Sequence, residues 1–236
     1  MRDEVYKNHR GDLVDFTFDA NVAAVFPDMI RRSVPGYDSV VPLSGLIAAH
    51  HAAAGSVCYD LGCSLGATAA SIARALGNKS CRIVAVDDSA AMLDRARSLH
   101  ADSRIEWLRD DVRTVPIANA GAVVMNYTLQ FVAPTDRLAL LQRIRAGLRD
   151  DGVLIVSEKV CSGEPWVAGL EERLHTEFKL ANGYSALEVA AKRTALERVL
   201  IPDSPEQHLQ RFAAAGFART HAWFRCLNWM SWLALP

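Results

Sequence analysis

Five short apolar runs punctuate the chain, at 56–61, 82–87, 104–108, 121–126 and 152–157. Each has the length of a buried strand, and the stretches between most of them, near 67–76, 89–99 and 134–147, lengthen into helical amphipathicity. Strand and helix alternating in this way predict a doubly wound α/β fold around a mostly parallel sheet. Ahead of the first strand, "FDANVAAVFPDMIRRSV" and "VPLSGLIAAHHAAA" read as an N-terminal helical cover. Beyond the fifth, 165–200 reads as two inserted helices, and "FARTHAWFRCLNWMSWLALP" reads as a hairpin that completes a seven-stranded sheet with an antiparallel edge. The expected organisation is one domain over 1–236: cover 1–55, nucleotide-binding core 56–160, helical insertion 161–203, and C-terminal helix with hairpin 204–236.

Composition narrows the function classes. The 236 residues are 50% hydrophobic, enough for one substantial core, and 26 basic against 27 acidic side chains leave a net charge of −1. No global field therefore draws the chain to nucleic acid or to a membrane surface. The opening "MRDEVYKNHRGD" is too charged for a signal peptide and no segment is apolar for about 18 residues, so a soluble cytoplasmic protein is expected. Cys58, Cys63, Cys81, Cys161 and Cys226 contain no CxxC and no Cys/His cluster, which predicts reduced thiols and no metal. His50, His51, His100, His175, His208 and His221 show no ligand spacing and read as structural or surface residues. Arg31 and Arg32, before "SVPGY", fit either a solvated face or an anion or subunit contact.

The candidate chemistry begins at "SVCYDLGCSLGATAASIARAL". The strand ends at Asp60, and Gly62 and Gly66 permit the tight turn and close backbone approach that a nucleotide-type ligand needs at a strand's carboxyl end. Neither GxGxxG nor GK[ST] is present, and the D-x-G-x-x-x-G turn resembles the first motif of class I S-adenosylmethionine-dependent transferases. The second strand ends at Asp87, where a carboxylate can accept both hydroxyls of a ribose; Asp88 and Ser89 can also cap the next helix. The third ends in "LRDDVRTVP", with Asp111 placed to read an adenine edge and Asp110 left as a solvated loop residue. The fourth ends at Asn126 in "NYTLQF", without the D/N-P-P-[YFW] of an amino-group methylase, and Tyr127 and Phe131 read as packing.

Five segments, "TFDANVAAVFPDMIRRSVPGY", "YDLGCSLGAT", "NYTLQF", "FKLANGYSALEVAAKR" and "WFRCLNW", together resemble the carboxy-S-adenosyl-L-methionine synthase family from about Phe16 to the C-terminus. The resemblance implies a Rossmann-like class I methyltransferase fold that binds S-adenosyl-L-methionine as substrate or carboxy-S-adenosyl-L-methionine as product. It implies ligand contacts at Tyr37, Gly62, Cys63, Ser64, Asp87, Asp88, Asp111, Val112, Asn126 and Arg193. The family often has Asp-Asn where this chain has Asp87-Asp88, which changes contact details near the ribose or adenine.

Arg193 is the catalytic candidate of that set. Pattern alone favours a surface ion pair with Glu197, one helical turn on. The resemblance instead assigns it the carboxylate of the carboxymethyl group, a role that suits a guanidinium and that an ordinary methyl transfer would not require. The implied reaction takes prephenate to phenylpyruvate and carbon dioxide; the departing hydroxide, or a group it activates, deprotonates the sulfonium methyl, and the carbon so exposed captures the carbon dioxide. The implied partners are prephenate and a second copy of the chain in a homodimer; the N-terminal helical cover, the inserted helices and the Trp-rich end (Trp223, Trp229, Trp232) together offer more apolar surface than one such sheet needs. The tRNA whose wobble uridine receives the 5-oxyacetyl group is left to a downstream enzyme, with no direct nucleic-acid contact. Judged on residues alone, an ordinary small-molecule methyltransferase and a noncatalytic adenosylmethionine-binding module remain the alternatives.

Overall fold

The computed structural model describes residues 1–5 and 16–236. Most of the charged opening segment read above therefore lies outside the described residues. The cover is two helices, α1 (Ala20–Ser33) and α2 (Tyr37–His51). The core follows as β1 (Val57–Leu61), α3 (Ala67–Leu76), β2 (Arg82–Asp87), α4 (Ala90–Leu99), β3 (Ile105–Arg109), β4 (Ala120–Asn126), α5 (Arg137–Gly147) and β5 (Leu148–Lys159). Two helices, α6 (Pro165–Ala181) and α7 (Ala186–Leu196), are inserted before α8 (Pro205–Ala214) and the hairpin β6 (Arg219–Cys226) and β7 (Trp229–Leu235).

The strands form one sheet in the order β3-β2-β1-β4-β5-β7-β6, parallel from β3 to β5 and antiparallel where β7 joins β5 and β6. Alternation along the strands feeds two cores. Val57, Tyr59, Leu61, Val123 and Met125 pack beneath α5 and α8, while Cys58, Ile83, Ala85, Val124 and Ile155 meet α2 and α3. Both faces are therefore apolar, as a parallel sheet covered by helices requires. The chain order reverses between β1 and β4, and that switch point opens a crevice at the strands' carboxyl ends.

Two boundaries differ from the sequence reading. β5 starts at Leu148 and not at 152, because "LRDDG" carries turn-like polarity although Leu148 pairs with Ala120. α2 starts at Tyr37 and not near Val41, with Pro42 inside it, although a proline signals a first helical turn.

Arg31 and Arg32 part company. Arg31 is exposed and pairs with Asp38 at 2.9 Å, the solvated-face reading. Arg32 is buried: it bonds Asp28 at 3.0 Å, donates to the Asn182 carbonyl at 2.7 Å, and stacks 3.8 Å over the Tyr184 ring. It thereby ties α1 to the turn between α6 and α7. The exit of the insertion is fixed by a second buried arginine. Arg137 bonds Asp203 and donates to the carbonyls of Val132, Gln130 and Ile201, and Arg211 takes the same Asp203 oxygen at 2.7 Å.

Candidate active site

Local strain and local hydrogen bonds build the turn after β1. Gly62 and Gly66 both sit at φ +77°, and a Cβ on Gly62 would lie 2.3 Å from Thr128 Oγ1, so a side chain is excluded there on both counts. The Gly62 and Cys63 N–H groups donate to the Val86 carbonyl at 2.8 and 2.9 Å, locking the turn to β2. Asp60 faces inward and accepts from the Ala69 N–H at 2.9 Å; burial pushes its carboxyl up to about 7. It supports the start of α3 and does not line the crevice.

The crevice is a cavity of about 1090 Å³ whose walls include Tyr37, Gly62, Cys63, Ser64, Asp87, Asp88, Asp111, Val112, Asn126 and Arg193. All ten residues named from the sequence therefore face one space. Asp87, at the end of β2, is fixed by the Ser64 N–H at 2.8 Å on one oxygen and the Ser89 N–H at 3.0 Å on the other. Burial raises its pKa, and the two amides favour the charged form. Each oxygen keeps a lone pair for an incoming hydroxyl. The helix cap falls to Ser89, which accepts from the Met92 N–H at 3.2 Å.

Asn126 is oriented by Ser44 Oγ at 3.4 Å and by its own donation to Thr68 Oγ1 at 3.1 Å. Burial pushes the Tyr37 hydroxyl up to about 12, which keeps it neutral, and its ring centroid lies 6.0 Å from that of Tyr127. Asp111 lines the cavity, but Arg113 clasps both of its carboxylate oxygens and its N–H donates to Asp110 at 2.7 Å. That clasp lowers its pKa. His100 holds the loop by pairing with the Leu65 carbonyl at 3.0 Å, in line with a structural role.

The opposite wall comes from the insertion, β5 and the hairpin. Arg193 on α7 pairs with Glu172 on α6, and not with Glu197 as the helix spacing suggested, because the two inserted helices face each other. Its side chain is 65% exposed. Close by are Lys159 at the end of β5 and Lys179 on α6. Neither ammonium has a hydrogen-bond or ion-pair partner among the described residues. Burial lowers both, Lys179 to about 8; repulsion from Arg193 adds to the shift of Lys159, and repulsion from Lys159 to that of Lys179. His175 donates Nε2–H to the Ser33 carbonyl at 2.8 Å, and burial beside these cations pushes it down to about 3, so the ring is neutral. Nothing in the sequence singles out Lys159, at the end of a core strand, or Lys179, on an inserted helix.

Comparison with known proteins turns this geometry into a family. A carboxy-S-adenosyl-L-methionine synthase from Geobacter metallireducens is 49% identical over 99% of this chain and 98% of its own length. Namesakes from Sodalis glossinidius and Vibrio cholerae serotype O1 are 45% and 48% identical over 99% and 94% of the chain, and 96% and 92% of theirs. The chain belongs to the carboxy-S-adenosyl-L-methionine synthase family. Residues 58–152 also match the family model described as a methyltransferase domain. Solved structures agree on the fold: a SAM-dependent methyltransferase from Leishmania major aligns at TM-score 0.61 with 15% identity, over 93% of this chain and 79% of that one. Human N-acetylserotonin methyltransferase, in complex with SAM, aligns at 0.57 with 16% identity over 92% of this chain and 55% of its own. This family thus places its members on a class I methyltransferase fold, with the class's crevice lined here by the residues above.

Proposed function

We propose that this protein is a carboxy-S-adenosyl-L-methionine synthase, converting S-adenosyl-L-methionine and prephenate to carboxy-S-adenosyl-L-methionine and phenylpyruvate. The observation that carries the reading is the near-full-length identity to synthases of that name. The cavity supports it, because one wall offers acceptors and backbone for an adenosyl group while the other offers an arginine for a carboxylate. The residues fit the ligand: glycines that permit close approach, a fixed carboxylate at the end of β2, and an oriented amide at the end of β4.

The chemistry balances without an external oxidant. The bond from the prephenate ring to its carboxyl breaks, its electron pair enters the ring, and hydroxide leaves the opposite carbon as the ring aromatises. The hydroxide takes a proton from the S-methyl group, forming water. The electron pair left on that carbon then attacks the released carbon dioxide, giving an S-carboxymethyl group whose carboxylate Arg193 binds in exchange for Glu172. No protein base is demanded; the chain contributes alignment and exclusion of water, which would otherwise reprotonate the carbon.

The product serves the 5-oxyacetyl modification of tRNA wobble uridine through a separate enzyme, in keeping with a net charge of −1. A cytoplasmic homodimer completes the reading. Trp229 and Trp232 of the Trp-rich end are buried within the chain, whereas Trp166, Leu187 and Leu46 are among the exposed apolar residues of the inserted helices and the cover, which the dimer would use. Mass spectrometry after incubation with adenosylmethionine and prephenate tests the activity. A species heavier by one carbon dioxide, together with phenylpyruvate, is expected, and neither when prephenate is omitted; unmodified adenosylmethionine with folded protein would refute the reading.

A further inference from the structure

The insertion wall holds more positive charge than one carboxymethyl group can use. Lys159, Lys179, Lys192 and Arg193 all line the cavity with the acids Glu171, Glu172 and Glu197, and the two acids of α6 are committed elsewhere. Glu172 pairs with Arg193, Glu171 takes Arg225 at 2.8 Å, and the buried Asp3 accepts from Tyr184 and lies 3.7 Å from Lys192. Lys192 also donates to Ser33 Oγ at 2.9 Å. Only the ammonium groups of Lys159 and Lys179 are left without an anion among the described residues of this wall.

A polar atom from the hairpin joins them. Lys159 lies directly across from Trp229 in the β5–β7 pairing, so the two side chains leave the same face of the sheet. The indole Nε1–H of Trp229 is buried without a partner among the described residues, and Trp229 also lines the cavity. The His175 ring packs edge-on against that indole at 5.8 Å, which sets Lys179, one turn further along α6, toward the same corner. Two half-buried ammonium groups without an anion, beside a buried and unused N–H, are costly unless an anion fills the corner.

We infer that Lys159, Lys179 and the Trp229 N–H form a carboxylate subsite for the donor acid, separate from Arg193, and that it holds the pyruvyl side-chain carboxylate of prephenate. The choice between the acid's two carboxylates follows from the reaction. A carboxylate that leaves as carbon dioxide must give up its charge, so cations bound to it in the ground state would raise the barrier. The side-chain carboxylate keeps its charge into phenylpyruvate and can be held throughout. With that end anchored on the insertion wall, the ring carboxyl is free to face the sulfonium methyl, and Arg193 remains available for the carboxylate that forms. This assignment rests on the proposed reaction for the identity of the acid, while the anion-binding corner itself does not.

The test is to make Lys159→Met and Lys179→Met and to compare prephenate, phenylpyruvate and adenosylmethionine. Each variant should raise the KM for prephenate by about tenfold to a hundredfold, the worth of a charge-assisted hydrogen bond, with a smaller change in kcat. The inhibition constant of phenylpyruvate, which has only the side-chain carboxylate, should rise by a similar factor. The dissociation constant for adenosylmethionine should stay within about twofold of the wild-type value, and the thermal midpoint without ligand should not fall, because a half-buried charge without an anion has been removed. An unchanged prephenate KM, or a raised one with unaltered phenylpyruvate inhibition, would overturn the assignment. If the wild-type protein forms no carboxylated product, the reaction reading fails by itself. Calorimetric binding of phenylpyruvate to wild type and its weakening in both variants would then still uphold the corner as a carboxylate site, and equal binding to all three would remove it.

Discussion

The two walls of the crevice are built on opposite principles. On the wall from β1 to β4, the acids and the amide at the strand ends are already held: Asp87 by two backbone amides, Asn126 by Ser44 and Thr68, Asp111 by Arg113, while the buried Tyr127 hydroxyl has no partner among the described residues. On the wall from α6, α7, β5 and β7, an exposed arginine, two free ammonium groups and an unused indole N–H face the same space. The first wall is preorganised for a ligand shared by a whole fold class, and its strand-end positions follow from topology. The second is positively charged, and on the proposed reading it is the wall that departs from methyl transfer. On that reading, specificity is added by an insertion and the binding core is left as it stands.

The joint between the walls is the place to break this comparison most severely. Asp203→Ala leaves Arg137 and Arg211 without their shared carboxylate at the insertion's exit, and a buried ion pair broken from one side costs about 3–5 kcal/mol. Chemical denaturation should show that loss, with the residual folded protein still binding adenosylmethionine.

Asp87→Ala strikes only the shared wall. It should weaken adenosylmethionine and its carboxylated form alike, by about 1.5–3 kcal/mol for a charged acceptor. Calorimetry giving unchanged affinity in a folded variant would remove Asp87 from the site. Arg193→Leu strikes only the specific wall. It should spare adenosylmethionine and weaken the carboxylated ligand by about 1–2 kcal/mol, a value reduced because the guanidinium is exposed and must first leave Glu172. Equal loss for both ligands would place Arg193 elsewhere.

How much was legible follows the same division. Strand ends, the glycine turn and Asp87 could be read because a parallel sheet puts its ligand contacts at fixed topological positions, so Gly62, Asp87 and Asn126 fell where spacing placed them. The insertion could be read only as two helices. Spacing along one helix offered Arg193 a partner in Glu197, whereas α6 supplies Glu172, a contact between helices that no local pattern encodes. For Arg32, likewise, the charge suggested a solvated face or an anion or subunit contact, but Tyr184 and Asn182, about 150 positions away, bury it within the chain. Lys159 was hidden at the end of a core strand. Long-range partners decide each of these.

A smaller effect is set by pH and acts on the whole fold. Burial depresses His175, on the insertion, to about 3 and His208, stacked 4.7 Å from Trp232 beneath β7, to about 4. In both, the unfolded chain binds the proton more tightly below its pKa near 6.5, so folding stability is full above that pH and falls as pH drops toward 4. Denaturant midpoints followed from pH 7 to 4.5 should decline, and His175→Gln should flatten part of the decline if its ring remains neutral in the fold.

The division of labour between the walls has one direct consequence. If the crevice aligns prephenate against the sulfonium methyl and excludes water, the carbon dioxide released is captured before it escapes. Prephenate carrying an isotope label in its ring carboxyl should then pass that label fully into the carboxymethyl group of the product, even in buffer rich in unlabelled bicarbonate. Product diluted by carbon from the buffer, or a methylated acceptor in place of carboxymethyl product, would contradict the account.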